Sequence, residues 1–128
     1  MRAIDTSVVV RFILRDEPRQ SEAAATCIAG GVFVSDGVMM ETEWVLRSVG
    51  WSRPRVNRAL ESFLAIDQVA VAQPDYLMWA LERHLAGADW ADMLHLIAAR
   101  GNEAFVTFDR KLAKRAGDDA LLPVAVLR

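Results

Sequence analysis

The chain has 128 residues, 53% of them apolar and 25% charged, and a formal net charge of −2. That size suits one compact domain spanning residues 1–128, able to bury roughly 65–70% of its unfolded surface without a staple, and the composition excludes a disordered tail or a low-complexity linker. The slight acidic excess excludes a globally basic nucleic-acid surface, whereas arginine, thirteen of the fifteen basic residues, favours planar contacts with anions at local clusters.

Ala3-Ile4 starts a strand that stops at Asp5-Thr6-Ser7. Val9, Phe12 and Ile13 then fall at helical spacing, although Val8-Val9-Val10 can equally prolong the strand. Pro18 followed by Ser21 through Ala29 reads as an Ala-rich helix ended by Gly30-Gly31, and Val32-Phe33-Val34 as a buried strand. The next helix carries Met40, Trp44 and Arg47 on one line and Val38, Glu41 and Val45 on another. Pro54 opens an amphipathic helix with Val56, Ala59, Leu60, Phe63 and Leu64 as its apolar stripe. Val69 to Ala72 is a strand, and Pro74 starts a helix striped by Leu77, Ala80, Leu81 and Leu85. Gly87-Ala88-Asp89 leads into a helix from about Trp90 to Arg100. Phe105-Val106-Thr107 reads as a strand, Asp109 to Ala116 as a short basic helix, and Val124 to Leu127 as a last strand. Strands separated by helices predict parallel pairing in an α/β fold with a buried sheet.

Cys27 is the single cysteine, so no intrachain disulfide forms, and with His84 and His95 it makes no zinc set. Neither a signal peptide nor a membrane span is expected: the early apolar run is short and Arg11 interrupts it. A reducing cytoplasm is the expected compartment. The mean hydropathy of +0.17 predicts apolar surface covered by a partner.

In open parallel sheets, ligands bind beyond the carboxyl ends of the strands. Asp5 and Asp109 each follow a strand, and each can either cap the next helix or serve a ligand. Glu41 has no basic residue three or four positions away. On an apolar helix line its carboxylate is costly unless protonated, hydrogen-bonded or bound to a cation. Glu43, with Arg47 at i+4, reads as a surface ion pair. Asp89 and Asp92 repel across one helical turn; Asp89 can be an N-cap, which leaves Asp92 unexplained. His95, three residues on, reads as a hydrogen-bond partner or a helix residue at the solvent edge. Taken jointly, Asp5, Glu41, Asp92 and Asp109 can converge on a hard divalent cation, for which Mg²⁺ or Mn²⁺ suits carboxylate ligands. Two basic clusters are candidate phosphate contacts: Arg47 to Arg58, and Arg110, Lys111, Lys114 and Arg115. The second is tied to Asp109. Trp44 and Trp79 read as core or interface, while Trp90 reads as packing, with a place at a groove edge left open.

Ala3-Ile4-Asp5-Thr6-Ser7, Glu41-Thr42-Glu43-Trp44-Val45-Leu46, Gly87 through His95, and Thr107-Phe108-Asp109-Arg110-Lys111 resemble, in order and spacing, the acidic signatures of PIN-domain ribonucleases. The small size is similar to that of VapC-type toxins of toxin–antitoxin pairs. The resemblance implies a three-layer α/β/α sandwich around a central, mostly parallel sheet. It also implies a Mg²⁺- or Mn²⁺-dependent endoribonuclease that hydrolyses RNA through cation-activated water. The family's acidic positions carry over to Asp5, Glu41, Asp92 and Asp109, with Asp89 matching a frequent additional acid. Asp5, Asp92 and Asp109 are the implied metal ligands, directly or through water, and Glu41 the water-orienting acid. Thr6, Thr107, Arg110 and Lys111 are implied substrate contacts. A homodimer and a VapB-type antitoxin follow from the same resemblance, with DNA reached only through the antitoxin and no membrane involved.

The rival readings are a catalytically inactive PIN-like interaction module, an aspartyl-phosphate phosphatase and a receiver-like domain. The phosphatases place a second Asp two positions after the first, where this chain has Ser7. Receivers need an acidic pair beside the first strand, where Asp5 stands alone. No serine or cysteine nucleophile has an adjacent base, which argues against a covalent intermediate.

Overall fold

Five short strands and seven helices alternate along the chain in the computed structural model, which describes residues 1–128. They fall into two compact units, Met1–Pro74 and Asp75–Arg128. Each unit has its own sheet, of three strands in the first and two in the second, and every strand pair is parallel. This alternation of helix and parallel strand is the pattern of an α/β sandwich.

In the first unit β1 (Arg2–Ala3), β2 (Val32–Phe33) and β3 (Val69–Ala70) lie side by side in chain order, with Arg2 opposite Val32 and Val32 opposite Val69. Bonds from Ile4 N to Phe33 O (3.1 Å) and from Val34 N to Ala70 O (2.9 Å) carry the ladder one residue further. Parallel strands need long crossovers. Here α1 (Thr6–Leu14) and α2 (Pro18–Ala29) join β1 to β2, and α3 (Asp36–Ser48) and α4 (Arg53–Leu64) join β2 to β3.

The ambiguous Val8-Val9-Val10 run is helical. β-branched residues are indifferent helix formers, but the Asp5 side chain caps the helix by accepting the Val8 N–H, and Val9 and Val10 are buried. Capping and packing together outweigh intrinsic propensity. Glu17, Ser35 and Ser52 cap α2, α3 and α4 in the same way. Val32, Val34, Met39 and Leu46 are buried in the sheet and α3, and Phe12 meets Phe63 edge-to-face at 6.1 Å.

In the second unit α5 (Pro74–Leu85) and α6 (Trp90–Ala99) precede β4 (Phe105–Thr107), which pairs with β5 (Val124–Val126) across the crossover helix α7 (Leu112–Ala116). Leu77, Leu81, Met93, Leu94 and Ile97 are buried, and the Trp90 ring stands edge-on to buried His84 at 5.7 Å. The expected helix from Asp109 starts later, at Leu112. Lys111 N–H donates to Asp109 Oδ1 at 2.9 Å and closes a turn there instead.

The C-terminus of α5, the loop after it and α7 are locked by two arginines. Arg115 Nη1 donates to the Gly87 carbonyl at 2.7 Å, and Arg83 Nε donates to the Arg115 carbonyl at 2.9 Å. Gly87 has φ +117°, and a Cβ there would stand 2.6 Å from Arg115 Nη1. The positive φ calls for glycine, and a Cβ would also push the Arg115 guanidinium off its carbonyl partner.

Two tryptophans resolve the readings left open: Trp44 is 59% exposed, which removes the core reading and leaves the interface one, and Trp90 is 1% exposed and packs internally, as expected. No helix is long and apolar enough to cross a membrane.

Candidate functional site

At the carboxyl edge of the three-stranded sheet, Asp5 follows β1 and caps α1. Its Oδ1 accepts from Ser7 Oγ at 2.6 Å and from Val8 N at 3.3 Å. These bonds, the Ser7 hydroxyl first and the Val8 amide second, hold the exposed Asp5 carboxyl below its ordinary range. These bonds favour the ionised form of Asp5, which is the form a divalent cation takes. The two sequence readings of Asp5 do not exclude each other, since the second carboxylate oxygen takes no part in the cap.

Thr6, the next residue, donates from Oγ1 to Glu41 Oε1 at 2.5 Å. This bond ties the start of α1 to the second turn of α3, so the residue next to Asp5 in sequence holds Glu41. The hydroxyl is committed to positioning Glu41, which leaves Glu41 Oε2 for water.

The ground on which Glu41 was singled out is corrected by the helix face. Glu41 is exposed, and Glu43 is the carboxylate that turns inward, 5% exposed, with Arg47 Nε at 3.1 Å. The i+4 pair is present, but it is anchored in the interior and is no surface pair. A buried carboxylate needs such a partner, so Glu43 is accounted for by structure and Glu41 by its bond to Thr6. We expect Glu43→Gln to cost about 1 kcal/mol of stability in urea denaturation, since its partner reaches solvent. Glu41→Gln should leave stability within about 0.5 kcal/mol and lower nucleolytic activity far more than Glu43→Gln. Equal activity losses in the two variants would show that the assignment of helix faces carries no functional meaning.

Asp36 escaped the sequence reading. It is the first residue of α3, two positions beyond Val34, and its Oδ1 is buried without a hydrogen-bond partner. The signal was available: Val32-Phe33-Val34 ends in Ser35-Asp36, the same strand-then-acid pattern that identified Asp5 and Asp109.

The second unit gathers another set. Asp89 caps α6, its Oδ2 accepting from Asp92 N at 3.0 Å. Asp92, half-buried in the first turn, has its carboxyl pushed above the ordinary 3.8 by burial first, then by the negative charges of Asp89 and Asp109, with His95 opposing them. His95 is exposed on the next turn, in keeping with a solvent-edge position. None of Asp89, Asp92 and Asp109 is ion-paired with a Lys or Arg. At the end of β4, Asp109 N donates to Thr107 Oγ1 at 3.0 Å. The Thr107 hydroxyl thus shapes the turn that presents Asp109. Of the expected substrate contacts, Lys111 sits on this turn, while Arg110 faces a separate hollow with Val126 and Arg128.

No three His, Cys, Asp or Glu side chains stand close enough together to form a metal-binding group. The donor chemistry nonetheless fits a Mg²⁺-like ion. Such ions keep several waters and are held by one or two carboxylates plus phosphate oxygens, so a closed cage of side chains is not required. A half-buried carboxylate raised by two like charges is also what a divalent cation would relieve.

Short parallel strands followed by acids, Asp5 as a helix cap and Asp109 in a turn, define an α/β domain with acidic strand ends. The PIN domain family model matches residues 3–118, and the chain belongs to the PIN domain family. Its members are nucleases in general and typically use divalent metals. No curated protein and no solved structure matched the chain.

Proposed function

We propose that this chain is a Mg²⁺- or Mn²⁺-dependent endoribonuclease of the VapC toxin type, working in the cytoplasm, with Asp5, Glu41, Asp92 and Asp109 as its acidic residues. The observation that carries the reading is Asp92, a half-buried carboxylate that Asp89 and Asp109 repel, that His95 offsets only in part, and that no Lys or Arg pairs with. Unrelieved like charge of this kind is retained where a cation is to be held.

Asp5, Asp92 and Asp109 would hold the ion, directly or through water, with Asp89 in support. A bound ion of this kind lowers the pKa of a coordinated water and takes up charge on phosphoryl and leaving oxygens. Glu41, its Oε1 fixed by Thr6, orients water with the remaining oxygen. Asp5 holds its charge through Ser7 and Val8, and Asp109 is presented by the turn that Thr107 and Lys111 close. Cleavage of a mixed-sequence RNA by Asp5→Asn and Asp109→Asn variants tests these roles. Asparagine caps helices as well as aspartate, so Asp5→Asn should keep the fold and lose most activity. Full activity in both variants would overturn the assignment.

A homodimer and a VapB-type antitoxin belong to the same proposal. Trp44 and Val49 in the first unit and Met78 and Leu85 in the second are each about half exposed or more; exposed apolar side chains of this size favour association, and a two-fold contact is the commonest solution. Light scattering on antitoxin-free protein should give twice the 14.2 kDa chain mass. A strictly monomeric mass across micromolar concentrations would refute the dimer.

A further inference from the structure

The locked end of the second unit forms a cleft of about 420 Å³ lined by Arg83, Ala86, Lys111, Lys114 and Arg115. Four of these five residues are cationic, no carboxylate lines the cleft, and none of the four cations is in an ion pair. A concentration of like charge without counter-charge repels itself and costs stability unless an anion is to be received. Two of the cations are also fixed in place. Arg83 Nε is bonded to the Arg115 carbonyl and Arg115 Nη1 to the Gly87 carbonyl, so part of the ordering entropy of a guanidinium is spent before any ligand arrives. The two lysine ammoniums hold nothing else.

Two of the cleft's residues are tied to the acids by hydrogen bond and by sequence. Lys111 gives its side chain to the cleft and its amide to Asp109, and Arg115 grips Gly87, two residues before the α6 cap Asp89. Arg110, next in sequence to Lys111, lies outside it. We propose that the cleft of Arg83, Lys111, Lys114 and Arg115 docks a backbone phosphate of the RNA strand, setting which neighbouring phosphodiester lies at Asp92 and Asp109. This rests on the endoribonuclease reading of the acids. An RNA strand is the favoured anion because Lys111 of the cleft is tied to Asp109, one of three mutually repelling carboxylates, whose charge penalises a lone mobile anion but which a tethered strand can pass on its way to a cation.

The test is the Lys111→Gln/Lys114→Gln double variant of the full chain, compared with wild type and with Arg19→Gln on the exposed face of α2. Both lysine side chains are unbonded and the Asp109 turn uses only the Lys111 amide, so an unchanged melting curve is expected. Affinity for a labelled single-stranded RNA, read by fluorescence anisotropy in chelator, should fall about 10-fold. The slope of log K against log salt should shrink by about 0.7, one phosphate contact on a single strand. In Mg²⁺ the same variant should raise KM and leave kcat within about two-fold, because the contact binds ground and transition states alike. Arg19→Gln should match wild type throughout.

An affinity, salt slope and KM all unchanged in the double variant would overturn the proposal while leaving the nuclease reading intact. Weakened RNA binding in a chain that never cleaves RNA would uphold the cleft and overturn the nuclease reading. Inorganic phosphate that shifts the lysine side-chain resonances while RNA leaves them unmoved would mark a free-anion site and overturn the choice of RNA.

Discussion

Replacing Asp92 with asparagine is expected to abolish RNA cleavage and to make the metal-free protein more stable. The two effects share one cause. Loss of a residue that merely supports a metal site typically costs 10- to 100-fold, so loss of a ligand charge should exceed about 100-fold. The stability effect follows from the raised carboxyl, pushed above 3.8 by burial and by Asp89 and Asp109. A carboxyl that holds its proton more tightly when folded makes stability fall as pH rises through the window above the unfolded value. At neutral pH the penalty is fully present, and asparagine removes it. Its position in the first turn of α6 favours negative charge, but the net upward direction says that desolvation and repulsion win. Melting curves should therefore show Asp92→Asn above wild type at pH 7, with the gap closing as pH falls towards 3.8. Added Mg²⁺ should raise the wild-type midpoint more than the variant's. A variant that melts below wild type at pH 7 would contradict this account of Asp92.

Trp90→Ala is expected to produce the largest loss of stability of any single change at the site, about 3–5 kcal/mol. The side chain is 1% exposed, stands edge-on to His84, and begins the helix that carries Asp92. Since a domain of this size holds about 5–15 kcal/mol in all, the variant should lie close to unfolding. Urea denaturation should show a much lower midpoint with an unchanged slope. A loss below about 1 kcal/mol would mean that α6 is anchored by other contacts.

The contrast between these two residues shows what the sequence could and could not convey. Asp89, Trp90 and Asp92 lie within four positions, and their spacing alone predicted a capped helix with an unexplained acid in its first turn. That Trp90 is core was open until its ring met His84. Element order, strand positions and parallel pairing were legible because Gly, Pro and capping residues punctuate strong apolar patterns. The late start of α7 was not, since it depends on Asp109 choosing the Lys111 amide over a helix cap. The inward turn of Glu43 was hidden for a related reason. A pairing rule gave its partner Arg47, but which line of α3 faces the interior is decided by packing, and local spacing left both lines open. Asp36 was legible by the same strand-end pattern as Asp5 and went unread. The bond between Thr6 and Glu41 joins residues 35 positions apart, and no local pattern carries it.

The most direct measurement is cleavage of single-stranded RNA by the purified wild-type chain, followed in Mg²⁺ or Mn²⁺, in excess chelator, and after the cation is restored. The account predicts cleavage that stops in chelator and returns with the metal. Cleavage undiminished in excess chelator would contradict it.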